Sequence, residues 1–185
     1  MARQQRHPHT ECGAGSRASA LPTVVGFVGR SGCGKTTLLL KLLPELRSRG
    51  LRVAIVKHTS HADIETDVAG TDSRRFWDAD ADAVLLVAPD RVVHTRRVTR
   101  EPTLDEVLAG VRDADLALLE GFKHADVDKI EVVRSACTPT PLRGIQRRVA
   151  VVTDVTGFPA EHPVFSLDQI GALARFLIDR MPSAV

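Results

Sequence analysis

Nine consecutive residues form the segment whose residue types and spacing most directly predict chemistry. They read Gly29-Arg30-Ser31-Gly32-Cys33-Gly34-Lys35-Thr36-Thr37. The segment matches the pattern G-x-x-x-x-G-K-[ST], in which backbone N–H groups surround a phosphate. In such a loop the lysine binds the β- and γ-phosphates, and the hydroxyl that follows it binds Mg²⁺. We therefore expect Lys35 to contact nucleotide phosphate and Thr36 to hold the metal.

The segments on either side of this loop favour the same interpretation. Residues 24–28 form an apolar run that predicts a buried strand, and leucines at helical spacing predict a helix from about Lys35 to Arg49. Strand, glycine-rich loop and helix are the context that the motif requires. All nine loop residues are accordingly predicted to bind a nucleotide.

Three further polar clusters directly follow predicted strands. They are residues 57–61, which begin with Lys57, residues 120–124, and Thr153 with Asp154. In an open parallel sheet, ligands bind beyond the carboxyl ends of the strands. Because the glycine-rich loop also follows a strand, we expect the four clusters to meet at one edge of the sheet and to form one pocket.

Glu120 is the candidate for the acidic residue that acts on Mg²⁺ or on its water. It follows four apolar residues of a predicted strand, which is the usual place for such an acid in nucleotide hydrolases. Asp115 competes for the role, but it stands at the opposite end of the same strand. We therefore expect Lys35 and Glu120 to be catalytic, and Thr36 and Glu120 to lie at the metal.

Three other residues have more than one interpretation. His58 and His61 stand three residues apart on a predicted loop, where they could contact an anionic substrate, ligate a metal or belong to a plain polar loop. Asp154 could accept hydrogen bonds from guanine N1–H and N2–H₂ and so select guanine over adenine. The usual guanine motif, Asn-Lys-x-Asp, is not present in the sequence.

The rest of the pattern predicts the elements that position these residues. Further strands are predicted at residues 52–57, 83–87, 116–119, 130–133 and 149–152, of which those at 83–87, 116–119 and 149–152 are predicted to be buried. A more polar strand at residues 91–96 is predicted to form a hairpin with residues 83–87. Helices are predicted at residues 72–79, after a capping box at Thr103–Glu106, and after Ser166. The pattern predicts an α/β fold: a single three-layer P-loop NTPase domain with a mostly parallel sheet and a β-hairpin addition.

Length and charge limit the remaining possibilities. The chain has 185 residues and a formal net charge of +2, which gives no electrostatic reason to expect nucleic acid or a membrane surface as its partner. We predict a disordered leader over residues 1–22 and one nucleotide-binding domain over residues 23–182. Three widely spaced cysteines imply no disulfide framework, and a reducing cytoplasmic location is expected.

Four segments taken together resemble one protein family. They are residues 29–37, Lys57-His58-Thr59-Ser60-His61, Asp67-Val68-Ala69-Gly70-Thr71-Asp72-Ser73 and Glu120-Gly121-Phe122-Lys123. In these segments, and over about residues 23–181, the chain resembles molybdopterin-guanine dinucleotide biosynthesis protein B (MobB). The first segment is common to P-loop proteins, whereas the second and fourth together are much more specific.

The resemblance implies a homodimeric GTP-binding protein of the SIMIBI class with weak GTPase activity. Such a protein assists a MobA-type molybdenum cofactor guanylyltransferase, the enzyme that joins GMP to molybdopterin. By the same resemblance, the loop and Thr36 bind GTP and Mg²⁺, and Glu120 lies beside the metal. The resemblance also implies that the pocket is lined by Lys57, His58, His61, Asp72 and Lys123. The pterin, the partner or the second subunit would lie opposite.

Arg30 departs from the wider class, whose members often carry a second lysine early in the loop. It could be an arginine finger, since arginine suits bidentate phosphate contact, or a solvated loop residue. Two other functions of the P-loop class also stay open. A small-molecule kinase would need an arginine-rich lid, and a metallochaperone GTPase would use His58, His61 or Cys137.

Overall fold

The computed structural model describes residues 21–61, 64–159 and 161–182. Its strands and helices are β1 (Thr23–Val28), α1 (Lys35–Ser48), β2 (Val53–Lys57), α2 (Asp72–Asp78), β3 (Ala83–Ala88), β4 (Arg91–Arg96), α3 (Leu104–Leu108), β5 (Leu116–Glu120), β6 (Asp128–Val133), β7 (Arg148–Thr153), β8 (Val164–Phe165) and α4 (Ile170–Ile178). A 3₁₀ turn, Ala109–Val111, extends α3. The predicted leader, residues 1–22, lies outside the described residues except for its last two positions.

Six strands form one parallel sheet in the order β2-β5-β1-β6-β7-β8. β1 lies between β5 and β6, so the loop that follows β1 is flanked by the ends of both neighbours. The register places Phe27 of β1 beside Glu120 of β5, near the carboxyl edge. The predicted α/β fold with a mostly parallel sheet is confirmed.

The larger core lies between one face of this sheet and the helices α1 and α4. Leu42 and Leu46 on α1 and Leu173 and Leu177 on α4 are buried against strand residues such as Leu118. Burial of this apolar face stabilises α1, the helix whose first residues belong to the phosphate-loop motif. A smaller cluster under α3 covers part of the other face, and its buried residues are Leu108, Ala117 and Leu119.

The strands β3 and β4 pair only with each other and form a separate antiparallel hairpin. The hairpin prediction is confirmed, but the prediction that residues 83–87 are buried is wrong. Leu85, Leu86 and Val87 are 59%, 51% and 71% exposed. The error has a physical reason. An apolar run shows that a strand can be buried, but its burial depends on which other elements reach it.

Helix α3 begins where its capping residues predict, whereas α4 begins later than predicted. Thr103 and Glu106 form the predicted capping box at α3. At the last helix, Ser166 N–H donates to the Gln169 side chain at 2.9 Å, but α4 begins only at Ile170. Within the described part of the chain, no helix is long and apolar enough to cross a membrane.

Two leucines on α1 test this arrangement of the core. Leu42 has 0% exposure and Leu40 has 65%. We expect Leu42→Ala to lower the free energy of unfolding by about 2–5 kcal/mol, because it leaves a cavity under the sheet. The matched variant Leu40→Ala should change it by less than about 0.5 kcal/mol. Chemical denaturation of both variants measures the difference, and equal effects would contradict the assigned face of α1.

Candidate functional site

The glycine-rich loop crosses directly over the end of β6. A Cβ atom on Gly29 would lie 2.5 Å from the Val132 carbonyl oxygen, and the φ angle of Gly29 is +153°. Both observations require glycine at this position, because a side chain would collide with the strand. The loop then enters α1 at Gly34, whose carbonyl accepts the N–H of Leu38 at 2.9 Å. The loop therefore delivers its backbone N–H groups to the N-terminus of a helix, where anions are favoured.

Lys35 folds back over this loop. Its Nζ donates to the carbonyl oxygens of Gly29 at 3.2 Å and Arg30 at 2.9 Å. The ammonium group therefore lies within the curve of the loop, where it can exchange carbonyl contacts for phosphate contacts.

Thr36, Lys57 and Glu120 meet beside the loop. Thr36 Oγ1 donates to Glu120 Oε1 at 2.7 Å, and Lys57 Nζ lies 3.6 Å from the same oxygen. Glu120 is only 8% exposed, so its carboxylate depends on these partners in place of water. The contact exists because β1, β2 and β5 are neighbours and end at the same edge.

The donor set of this cluster fits Mg²⁺. A threonine hydroxyl and a carboxylate oxygen lie 2.7 Å apart. Magnesium prefers oxygen ligands and commonly binds one or two carboxylates together with substrate phosphates. Thr36 and Glu120 are thus the residues that would hold the ion.

His58 packs against the end of β5. Its N–H donates to the Glu120 carbonyl at 2.9 Å, and its ring lies 5.2 Å from that of Phe122. Its Nε2 lies 2.7 Å from Glu101 Oε1. Glu101 is a site neighbour that sequence reasoning missed, because no motif or strand end marks it.

The positions of three further predicted pocket residues give less direct support for a role in the site. They are His61, Asp72 and Lys123. His61 is exposed, with its N–H donating to Thr59 Oγ1 at 3.2 Å. Asp72 begins α2 and forms an exposed ion pair with Arg75 at 3.5 Å. Lys123 is exposed in the turn after β5. Their roles in the pocket stay predictions.

Within residues 21–61, 64–159 and 161–182, no group of three or more histidine, cysteine, aspartate or glutamate side chains is placed so that it could hold a metal ion.

A second cluster of contacts lies at the ends of β6 and β7, beside the phosphate loop, and sequence reasoning missed half of it. Arg134 Nε contacts Asp154 Oδ2 at 2.9 Å, and Ser135 N–H donates to Asp154 Oδ1 at 2.7 Å. Arg134 Nη1 lies 3.2 Å from the position that a Cβ atom on Gly34 would take, so the guanidinium lies against the phosphate loop. Arg134 directly follows a predicted strand, and the strand-end rule applied to β6 would have found it.

Asp154 is therefore already held by protein groups. The Ser135 N–H and then the Arg134 guanidinium lower the pKa of its carboxyl to about 2. Base recognition by Asp154 stays a prediction, and its visible contacts position Arg134. Arg30, the possible arginine finger, is exposed on the loop.

Comparison with known proteins identifies the family of this chain. Residues 24–154 match the family model of molybdopterin guanine dinucleotide synthesis protein B, MobB. The chain belongs to the MobB family. The molybdopterin-guanine dinucleotide biosynthesis adapter protein of Escherichia coli K12 is 33% identical over 163 residues, covering 85% of this chain and 93% of its own. The adapter protein of Haemophilus influenzae is 36% identical over 159 residues, covering 83% and 86%.

Solved structures of this family share the fold. A molybdopterin-guanine biosynthesis protein B structure is 32% identical with a TM-score of 0.69, covering 84% of this chain and 98% of its own. A MobB homologue from Bacillus stearothermophilus is 28% identical with a TM-score of 0.65, covering 85% and 99%. This likeness confirms the fold class predicted from the sequence, and the membership confirms the predicted family.

The Asp154 contacts predict a measurable pKa. A ¹³C NMR titration of its carboxyl should give a value of about 2, below the ordinary 3.8. Because the folded-state pKa is lowered, the contact contributes stability above the ordinary value, and this contribution is lost as the pH falls from there towards 2. Arg134→Ala should raise the pKa only part of the way, since the Ser135 N–H remains. An ordinary pKa in the unsubstituted protein would contradict the assigned contacts.

Proposed function

We propose that this MobB-family protein is a GTP-binding adapter in the synthesis of molybdopterin guanine dinucleotide. Family membership supports the pathway, and the names of the two bacterial relatives support the adapter role. The observation that carries the nucleotide part is the 2.7 Å contact from Thr36 of the phosphate loop to Glu120 at the end of β5. Its partner in this proposal is a MobA-type guanylyltransferase, and molybdopterin is a candidate ligand of the same pocket.

Each residue of the site has a separate role in the proposed binding of GTP. The N–H groups of the loop surround the phosphates, and Lys35 turns from the Gly29 and Arg30 carbonyls to the phosphate oxygens. Thr36 and Glu120 would hold Mg²⁺, which would supply positive charge to offset the charge of the phosphates. Arg134, which lies against Gly34, adds a second cation beside the loop.

Hydrolysis by this site is proposed to be weak. Fast GTPases orient the attacking water with a glutamine and neutralise the transition state with an arginine. Neither of the two glutamines in the described ranges follows a strand at the carboxyl edge: Gln146 stands just before β7, at the opposite end of that strand, and the Gln169 side chain accepts the N–H of Ser166. Glu120 is engaged by Thr36 and Lys57. The arrangement thus supports retention of GTP for a partner more than rapid turnover.

We also propose that the protein is a homodimer joined through the β3–β4 hairpin. Alternation along the strands puts Leu85, Val87 and Val92 on one face, with exposures of 59%, 71% and 62%. An isolated two-stranded ribbon is marginally stable in water, and exposed apolar patches mark protein interfaces. A second copy of the chain would cover this face.

A cytoplasmic location is part of the same proposal and is supported by the free thiols of Cys33 and Cys137.

Calorimetry of the full-length protein with Mg²⁺ tests the nucleotide site. We expect GTP to bind and ATP to bind more weakly. Lys35→Ala should weaken GTP binding by at least about tenfold, because a charge-assisted contact to phosphate contributes on the order of 1.5–3 kcal/mol. Lys41→Ala is the matched control, since Lys41 is an exposed lysine on the same helix. Unchanged GTP binding by Lys35→Ala would contradict the site, and fast phosphate release by the protein alone would contradict weak hydrolysis.

Light scattering after size-exclusion chromatography tests the dimer. The unsubstituted protein should elute as a dimer, and Leu85→Glu should elute as a monomer, because it puts a charge into the apolar face. Leu40→Glu is the matched control, since Leu40 is 65% exposed on α1. A monomer for the unsubstituted protein, or a dimer that tolerates Leu85→Glu, would refute the interface.

A further inference from the structure

A cavity of about 470 Å³ lies between α2 and the β3–β4 hairpin, outside the nucleotide site. The described residues that line it come from residues 64–67, from α2, from the two strands of the hairpin and from the position directly after β4. The phosphate loop and the strand ends around Glu120 contribute none of them. Its volume lies within the range of about 300–1,000 Å³ that is usual for small-molecule sites.

One wall of the cavity is aliphatic and another is aromatic. Val84, Leu86 and Val93 line it from the face of the hairpin that points away from the proposed dimer face, since side chains alternate along a strand. Trp77 lines it from α2. The Arg97 guanidinium lies 4.2 Å from the centre of the indole and donates to the Trp77 carbonyl at 2.7 Å, so the indole is held in place. Such walls suit a flat ring system with apolar faces.

The two cations that line the cavity are already engaged by acceptors of the protein. Arg97 Nε donates to the Ala81 carbonyl at 3.2 Å, and its Nη2 lies 3.2 Å from Asp80 Oδ1. Arg74 Nε donates to Asp78 Oδ1 at 2.8 Å. An anionic ligand would have to compete with these carboxylates for the same guanidinium groups.

Two carboxylates give the cavity its remaining hydrogen-bonding capacity. Asp67 is half-buried, although the apolar residues Ile64 and Val68 close to it are exposed. Its Oδ1 accepts the Val68 N–H at 2.8 Å, and a carboxylate can accept several more hydrogen bonds. Glu65 is exposed and lies 4.0 Å from Arg74. The cavity therefore favours a ligand that brings hydrogen-bond donors.

The turn that carries Asp67 is fixed to α2. The Thr71 N–H and hydroxyl both donate to the Val68 carbonyl, at 3.3 and 2.9 Å. Thr71 is also the N-cap of α2, where its Oγ1 accepts the Arg74 N–H at 3.3 Å. The half-buried carboxylate and the indole of Trp77 are thus positioned by one short element before a ligand binds, which lowers the cost of binding.

We propose that this cavity binds a flat heterocycle with the 2-amino-4-oxopyrimidine edge that pterins and guanine share. Asp67 accepts the two adjacent N–H groups of that edge, and the ring lies between Trp77 and the aliphatic wall of the hairpin. That the ligand is a compound of the proposed pathway rests on the proposed function, whereas the chemistry of the cavity does not. A pterin would then bind outside the nucleotide pocket, and the phosphate loop would hold the nucleotide alone.

Trp77 provides the probe for this site, because the chain has one tryptophan and no tyrosine. The full-length protein is titrated with pterin, and quenching of the fluorescence should saturate after correction for light absorbed by the ligand. Lumazine carries a carbonyl where pterin carries the 2-amino group. It should bind at least about tenfold more weakly, because it loses one charge-assisted hydrogen bond.

GMP provides the second arm of the titration, with the Lys35→Ala variant so that the phosphate loop contributes little. Tighter binding of pterin assigns the cavity to a pterin, and tighter binding of GMP assigns it to a guanine nucleotide. Both results support the shared edge as the recognised group. Lys35→Ala should bind pterin as tightly as the unsubstituted protein.

Asp67→Asn tests the carboxylate, because the amide oxygen can still accept the Val68 N–H. It should weaken pterin binding at least about tenfold and change lumazine binding little. Asp90→Asn is the matched control, since Asp90 is an exposed acid at the turn of the hairpin.

Three results would overturn the inference. They are equal binding of pterin and lumazine by the unsubstituted protein, absence of saturable binding of both pterin and GMP, and pterin binding by the Leu85→Glu variant alone, which would show that a second copy fills the cavity. Failure of the reduced, unsubstituted protein to bind GTP would instead contradict the proposed function, since pterin binding is measured without GTP.

Discussion

The hydrogen bond from Thr36 to Glu120 is the contact on which the rest of the site depends. It joins residues 84 positions apart, and it forms because β1 and β5 are parallel neighbours that end at one edge of the sheet. A carboxylate as buried as Glu120 would destabilise the fold without partners. The Thr36 hydroxyl and the Lys57 ammonium supply them, so the same contacts that stabilise the acid also place it beside the phosphate loop.

The cluster of Arg134, Ser135 and Asp154 beside the loop depends on the order of the strands on the other side of β1. Arg134 follows β6, Asp154 follows β7, and their ion pair closes the edge of the sheet beside Gly34.

The hairpin β3–β4 is the part of the fold that a single chain leaves incompletely covered. A cavity of about 470 Å³ lies between it and α2, and the cavity is lined by residues such as Trp77, Leu86 and Val93. Arg97 lies 4.2 Å from the centre of the Trp77 ring and so connects the hairpin to α2. The opposite face of the ribbon stays apolar and exposed, and it is the face through which we propose that two copies meet.

The sequence by itself determined the features that arise from neighbouring residues: the glycine-rich loop, the α1 helix after it, the hairpin, the α3 capping box and the position of Glu120 at a strand end. Backbone preferences and hydrophobic periodicity act over a few residues, so they are readable without the fold. Only the tertiary structure decided which distant residues meet. The Arg134–Asp154 pair and the exposure of residues 83–87 both follow from strand order and from which elements cover each other. Periodicity describes one face of one element, and it carries no information about what lies opposite.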